Sequence, residues 1–402
     1  MSEKVVLAYS GGLDTSVAIK WLQEKHNLDV IAFSVDVGNE PDFPAIREKA
    51  LKLGAVKALV ADARKAFVGE FVFPALKANA VYQGQYPLAT ALARPLMAKL
   101  LVETAQAEGA TAVAHGCTGK GNDQVRFDVS VAALAPGLKI IAPARDWKMT
   151  REETIKYAQH HGIPIPITAD SPYSIDQNLW GRSIECGVLE DPWVEPPDDA
   201  FIWAKPLAAT PDVPDYIEIG FEKGVPVAVN GRKMAGITLI QRVNELAGKH
   251  GVGKIDHIED RVVGIKSREI YEAPAAVELL KAHQALEAMT LSREQLRFKQ
   301  IVSAEYANLV YSGLWFTSFR EDLTAYVDSS QRFVTGTVRL KLFKGSCTVV
   351  GRKSPYSLYR RDLATYDKGD VFDQSAAVGF IKLWGLTART QAQVQGKKKK
   401  EG

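Results

Sequence analysis

The chain has 402 residues, 46% apolar and 24% charged. That is enough to bury the cores of two domains, and it excludes wholesale disorder. Fifty Lys and Arg barely outnumber 47 Asp and Glu, and the segment 397–401, four lysines and a glutamate, carries the whole excess of +3. The body is therefore neutral, and a broad nucleic-acid-binding face is not expected. Three scattered cysteines, Cys117, Cys186 and Cys347, offer neither a disulfide framework nor a CxxC metal pair. The first strand begins at Lys4, which leaves no room for a signal peptide. No apolar run approaches the ~20 residues of a membrane span. The expectation is a cytoplasmic protein with no membrane and no nucleic-acid partner.

The first 170 residues alternate strand and helix. Lys4–Ser10 is an apolar run that ends in Gly11-Gly12, and a helix is predicted from Asp14, with Val17, Trp21 and Leu22 on one face. Strands at Asp29–Val37 and Val56–Ala61 flank a helix at Pro44–Leu53 with Gly54 as its stop. Helices at Phe67–Ala80 and Ala91–Glu108 enclose the loop Tyr82–Thr90. Then come a strand at Thr111–Gly116, a polar loop, a helix from about Val125, a strand at Lys139–Ala142 and a helix at Thr150–His161. Short apolar strands alternating with helices imply an α/β, doubly wound parallel sheet with right-handed crossovers.

Ile163–Pro172, with three prolines, reads as a linker. Beyond it the pattern becomes α+β. One hairpin is predicted at Tyr216–Gly220 and Val225–Val229, a second at Thr335–Leu342 and Thr348–Gly351. Helices are expected at Ile237–Lys249, Ala275–Met289, Arg293–Tyr311 and Phe319–Ser329, with a last one at Ala377–Val394. The expected division is 1–170 for nucleotide binding, 171–376 for the second domain, and 377–402 for a C-terminal helix and charged tail.

Two polar, glycine-rich loops follow strands one and four, where doubly wound sheets bind ligands. Ser10-Gly11-Gly12-Leu13-Asp14-Thr15-Ser16 opens a helix, and backbone N–H groups and the helix dipole there favour an anion. Ser10, Thr15 and Ser16 add hydroxyl donors. Asp14 beside an anion makes sense if Mg2+ bridges the two. The loop is neither a Walker A nor a GxGxxG motif; a capped Gly-Gly turn is the plainer alternative. In the second loop Arg126 can grip a carboxylate with two hydrogen bonds. Asp123 can accept from an ammonium, and Asn122 can donate and accept together, as a ureido group demands. The plainer alternative there is an ordinary N-cap. Seven histidines show no HExxH or Cys/His ligand spacing, so no resident metal is expected.

SGGLDTS resembles the pyrophosphate loop of the N-type ATP pyrophosphatases, which split ATP into AMP and pyrophosphate. Ala8–Ser16, HGCTGKGNDQVRF at His115–Phe127, KHGVGKIDHIEDR at Lys249–Arg261 and GIKSREIYEAP at Gly264–Pro274 resemble the argininosuccinate synthase family within that group. Tyr86–Pro95 and Tyr173–Pro192 extend the likeness nearly end to end.

The resemblance implies condensation of L-citrulline with L-aspartate through citrullyl-AMP, in arginine biosynthesis. It implies ATP as co-substrate with Mg2+, and a homotetramer whose C-terminal helix reaches a neighbour. ATP would lie against Ala8, Tyr9, Ser10, Gly11, Gly12, Leu13, Asp14, Thr15, Ser16, Val35 and Gly116. Aspartate would meet Thr118, Asn122 and Asp123. Citrulline would meet Tyr86, Thr90, Ala91, Asn122, Arg126, Ser174, Ser183, Glu259 and Tyr271. Asp14 would organise Mg2+ and pyrophosphate, Asp123 would orient the attacking amine, and Lys120 would be an extra cation at the phosphates. The chain departs from the family at Ala91, where many members have Ser, and at Asp260, where Asn is frequent. It also has NLWGRSIECG in place of NLxHISYEGG. A tRNA thiolase, which shares the first loop, would use paired cysteines and a basic face. A non-catalytic nucleotide-binding module would not need the GNDQVR loop.

Overall fold

The computed structural model describes residues 3–39, 41–164 and 173–396. The lysine tail and most of the proline-rich linker lie outside them. Met1–Tyr356 form one compact unit and Ser357–Gly402 another.

The first unit begins with β1 (Lys4–Ala8), β2 (Asp29–Asp36), β3 (Lys57–Asp62), β4 (Ala112–His115) and β5 (Lys139–Ile141). All pair in parallel, in the order β3-β2-β1-β4-β5. Period-2 alternation sends successive residues to opposite faces. Val5 and Leu7 join one core with Val17, Ile19 and Leu22. Val6 joins the other, with Ile31, Phe33 and Leu92. Burial on both faces explains why β1, β2 and β4 read as continuous apolar runs.

The second loop holds a correction. Its helix starts at Asn122, not Val125, and runs to Leu134. Gly121 is extended at its N-cap and Asp123 sits in the first turn, where its charge suits the helix dipole. The helix expected at Phe67–Ala80 is interrupted. Residues Phe67–Val72 form a π-helical stretch in which the Phe73 N–H bonds five residues back to the Val68 carbonyl. Pro74, which follows, has no N–H to continue an α ladder. The helix Arg151–His160 begins as its residues dictate, with a capping box between Thr150 and Glu153.

Both predicted hairpins form. β8 (Asp215–Glu222) and β9 (Val225–Val229) turn at Lys223-Gly224, and β13 (Gly336–Phe343) and β14 (Ser346–Lys353) at Lys344-Gly345. All four turn residues have φ between +45 and +78°, the backbone that two-residue hairpins require. With β10 (Arg232–Lys233) they make an antiparallel sheet, β10-β9-β8-β13-β14. Helices Gly236–Lys249, Pro274–Thr290, Arg293–Tyr311 and Ser318–Ser330 accompany it.

A third sheet escaped the sequence reading. It pairs β11 (Lys254–Asp260), β12 (Lys266–Glu272), β7 (Gly181–Glu185) and β6 (Ser174–Asn178). Its strands, such as SIDQN and KIDHIED, carry polar side chains where a core strand would carry apolar ones. In the second unit the single helix expected at Ala377–Val394 is two, Ala376–Trp384 and Leu386–Gln395, divided at Gly385. Glycine weakens a helix interior by about 1 kcal/mol relative to alanine.

Candidate active site

The strand order reverses between β1 and β4, so the two glycine-rich loops leave neighbouring strands at one end of the sheet. They touch: a Cβ at Gly116 would lie 2.8 Å from Thr15 Cγ2.

In the first loop Gly11 has φ +79°, and a Cβ there would lie 3.0 Å from Ile46 Cγ1. The Gly12 N–H donates to Ser10 Oγ at 3.3 Å, and Ser10 Oγ pairs with Thr15 Oγ1 at 3.1 Å. Lys49 Nζ donates to the Gly11 carbonyl at 2.8 Å, which sets a cation beside the loop. Burial pushes the Asp14 carboxyl up from its ordinary value, against the charge of Arg151. Ser16 is buried and pairs with the Tyr9 hydroxyl at 3.2 Å, and Leu13 packs on the core. These two shape the loop from behind.

A cavity of about 610 Å³ opens on this loop. Ala8, Tyr9, Ser10, Thr15, Val35 and Gly116 line it, with Phe43 and Ile46 as apolar wall. His115 also lines it. The Cys117 N–H donates to His115 Nδ1 at 3.2 Å, so His115 Nε2 carries the proton and donates to Asp128 at 2.8 Å. Cys117, Ser174 and Asp176 are shared with an adjoining polar pocket of about 220 Å³.

That second pocket gathers Tyr86, Thr90, Thr118, Asn122, Asp123, Arg126, Ser174, Ser183, Glu259 and Tyr271. These are all the residues expected to meet the two amino acids except Ala91. The Ala91 side chain is fully buried, and its N–H donates to the Tyr86 hydroxyl at 3.3 Å, beside the Thr90 N–H at 2.9 Å. Lys120 is exposed and lines neither cavity. Its loop instead offers the Lys120 carbonyl to Arg261 at 3.5 Å.

The pocket is held by charge pairs and tyrosines. Arg126 is buried. It donates from Nε to the Tyr311 carbonyl and from Nη1 to Asp123 Oδ1, each at 2.9 Å. Arg94 donates to Asp123 Oδ2 at 2.9 Å and also pairs with Asp176. Burial would raise the Asp123 carboxyl, but the charges of Arg94 and Arg126 outweigh it and hold it below the usual range. Glu259 is buried and accepts from the Tyr271 hydroxyl at 2.7 Å and from the Tyr311 hydroxyl. Burial raises its carboxyl, and the two phenols oppose that. Asn122 donates to Tyr311 at 2.8 Å and accepts from the Val262 N–H at 2.9 Å, clamping its helix to the β11–β12 turn. Tyr86 stacks on Tyr271 with centroids 4.3 Å apart, and burial lifts its phenol to about 12.

Arg94, Lys49, Asp176, Glu185, Arg261, Glu269 and Tyr311 were missed from the sequence. Only the third sheet and the folded helices bring them here. A signal was present for five of them: Arg94, Asp176, Glu185, Arg261 and Glu269 lie within segments that carried the resemblance, whereas Lys49 and Tyr311 do not. Among the described residues no group of three or more His, Cys, Asp or Glu could hold a metal ion. No helix among them is long and apolar enough to cross a membrane.

Comparisons with known proteins place the chain in a family. The family model described as the arginosuccinate synthase N-terminal HUP domain matches residues 4–164. The model for the C-terminal domain matches residues 173–391. An argininosuccinate synthase of Dehalococcoides mccartyi is 68% identical over 395 residues, spanning 98% of this chain and 97% of the relative. That of Gloeobacter violaceus is 59% identical over 98% and 99% of the two chains, and that of Oceanobacillus iheyensis 58% over 98% and 94%. Among solved structures, a tRNA methyltransferase subunit from Methanocaldococcus jannaschii overlaps 39% of this chain and 75% of its own, at 15% identity and a TM-score of 0.28, too slight a likeness to weigh. With both halves matched and relatives aligned over nearly their whole length, the chain belongs to the argininosuccinate synthase family.

Proposed function

We propose that this chain joins L-citrulline to L-aspartate, converting ATP to AMP and pyrophosphate, as a step of arginine biosynthesis. The observation that carries the reading is the continuity of the loop cavity with the polar pocket through Cys117, Ser174 and Asp176. A nucleotide α-phosphate and a ureido oxygen can meet at that seam.

The ureido carbon is a weak electrophile and its oxygen a poor leaving group. Transfer of AMP to that oxygen removes both obstacles, and the amine of aspartate then displaces AMP. No covalent nucleophile is needed, so the protein works by positioning and charge neutralisation. The Gly11 and Gly12 amides, the Ser10 and Thr15 hydroxyls and the Lys49 ammonium suit the departing pyrophosphate. Thr118, Asn122 and Asp123 suit aspartate. Tyr86, Thr90, Arg126, Ser174, Ser183, Glu259 and Tyr271 suit citrulline. Asp14 is a lone carboxylate beside the loop. It fits a Mg2+ that arrives with the nucleotide, not a resident ion, and such an ion would neutralise phosphate charge. Lys120, exposed, fits only a role at the rim.

The same reading takes residues 1–170 as the nucleotide domain, 171–376 as the domain that completes the amino-acid pocket, and 377–402 as an oligomerisation segment. It takes the protein as a cytoplasmic homotetramer. A tRNA thiolase is not favoured, because the cysteine at the site has no partner cysteine in sequence and burial pushes the Cys117 thiol up to about 12.

The test is a product assay with ATP and Mg2+, omitting citrulline and aspartate in turn. AMP, pyrophosphate and argininosuccinate are expected only when both are present. ADP as product, or turnover indifferent to citrulline, would refute the substrate assignment.

A further inference from the structure

We propose that Glu185 accepts the proton which the α-ammonium of aspartate must lose before it attacks, an inference that rests on the function proposed above.

Asp123, Asp176, Glu185, Glu259 and Glu269 bring carboxylates to the pocket. Asp123 and Asp176 share two guanidinium groups, Arg94 and Arg126. Acid and base balance there, and a proton would have to displace a charge pair. Glu259 has each oxygen engaged by a phenol, from Tyr271 and Tyr311.

Glu185 and Glu269 differ, because both lean on one guanidinium. Arg261 Nη2 reaches Glu269 Oε1 at 2.8 Å and Glu185 Oε2 at 3.0 Å. Two carboxylates on one cation leave one negative charge in excess, and a proton relieves it. Glu269 takes two Arg261 donors, Nη2 at 2.8 Å and Nε at 3.3 Å, and accepts from Ser267 Oγ at 2.5 Å, so its negative charge is the better satisfied of the two. The proton therefore belongs on Glu185, which is only partly buried. Burial first, then the facing charges of Glu269 and Asp123, lift its carboxyl to about 7 against Arg261. A base of that strength is matched to neutral pH.

The backbone also singles out this position. Cys186, the next residue, has φ +78° and ψ 175°, a region nearly confined to glycine. Such strain persists where surrounding structure enforces it and clusters at functional sites. Cys186 directly follows Glu185, the last residue of β7, which lines the pocket. The other groups there cannot serve. The Cys117 thiol and the Tyr86 and Tyr271 phenols are all raised by burial and stay protonated.

The step balances. One N–H bond of the ammonium breaks, its electron pair stays on nitrogen, and the proton passes to the Glu185 carboxylate. The amine forms a C–N bond to the ureido carbon of citrullyl-AMP. The C–O bond to AMP then breaks and AMP leaves with that electron pair. A second proton leaves the attacking nitrogen to solvent, so the new guanidinium keeps a single positive charge.

The experiment separates the two half-reactions. Citrulline-dependent exchange of labelled pyrophosphate into ATP reads adenylation, and argininosuccinate formation reads the attack. For Glu185→Gln the expected result is exchange within about threefold of wild type, argininosuccinate formation down about a hundredfold, and loss of the acidic limb of kcat/KM for aspartate. Glu185→Asp should restore an acidic limb, displaced in pH from that of the wild type and at reduced rate. A Gln variant that retains the limb, or that loses both half-reactions equally, overturns the proposal. If the Gln variant does not fold, an Asp variant whose limb stays at the wild-type pH overturns it, and a displaced limb supports it. Absence of citrulline-dependent exchange in the wild-type protein would instead refute the function itself.

Discussion

Arg94 Nε donates to Asp123 Oδ2 at 2.9 Å, so the helix that follows the Tyr82–Thr90 loop is tied inside the pocket to the helix that follows β4. Asp123 also pairs with Arg126. Asp123→Asn would leave Arg126 without its carboxylate partner and Arg94 with Asp176 alone. Argininosuccinate formation is expected to fall by about a hundredfold or more, as when a preorganised polar group is removed from an active site. A steady-state assay at saturating substrates checks this, and a loss under tenfold would show that the pair is dispensable.

Gly116→Ala should act through space alone. The added Cβ would stand 2.8 Å from Thr15 Cγ2, forcing apart the two loops where Thr15 and Gly116 line the larger cavity. Overpacking of this kind costs about 1–3 kcal/mol. KM for ATP should rise at least tenfold while KM for aspartate changes little. Equal changes in both would place the effect elsewhere.

Cys186 occupies a glycine-like conformation with a side chain. The family form places Gly at this position, so Cys186→Gly relieves strain of about 1–3 kcal/mol and gives back about 0.5–1 kcal/mol in chain entropy. The variant should unfold at a higher temperature by a few degrees in calorimetry. A lower melting temperature would mean that the thiol makes packing contacts worth more than the strain.

Glu278 lies fully buried on the helix Pro274–Thr290, and neither carboxyl oxygen meets a donor among the described residues. Burial raises its carboxyl well above the ordinary value, against the nearby Lys281. The folded chain therefore keeps a proton that the unfolded chain releases above about 4.3. The stability linked to this group is complete below that pH and falls as pH rises toward the folded value, by up to about 1.4 kcal/mol per pH unit. Glu278→Gln should remove this component. Denaturant midpoints of wild type and variant between about pH 6 and 8 should diverge, with the wild type losing more. Parallel curves would show that Glu278 is ionised in the fold.

In the Ser357–Gly402 unit Val378, Phe380, Ile381, Leu383 and Trp384 are exposed, and Phe380 stacks on Trp384 with centroids 5.4 Å apart. An apolar cluster of this size marks an interaction surface. Light scattering on the chain ended after Ala376 should give a mass below that of a tetramer. An unchanged tetramer would sink the proposed role of this segment.

Local chemistry in the sequence was enough for the parallel sheet, the two hairpins and the first glycine loop. Both-face burial writes continuous apolar runs, a two-residue Lys-Gly turn needs positive φ, and a Gly-Gly step before a helix exposes amides. The residues of the second pocket could be marked but not arranged. Glu259, Tyr271, Ser183 and Arg126 come from four separate elements, and only the pairing of β7 with β12 and β12 with β11 brings the first three together. That polar sheet was illegible because its side chains serve the pocket and so break the alternation that marks a strand. Tertiary structure alone decided which groups are already committed: the Ala91 amide to Tyr86, Asn122 to Tyr311 and Val262, and Asp123 to two arginines. Asn122 and Asp123 spend hydrogen-bond capacity on Tyr311, Val262 and Arg94, distant in sequence, and no spacing along the chain records those partners.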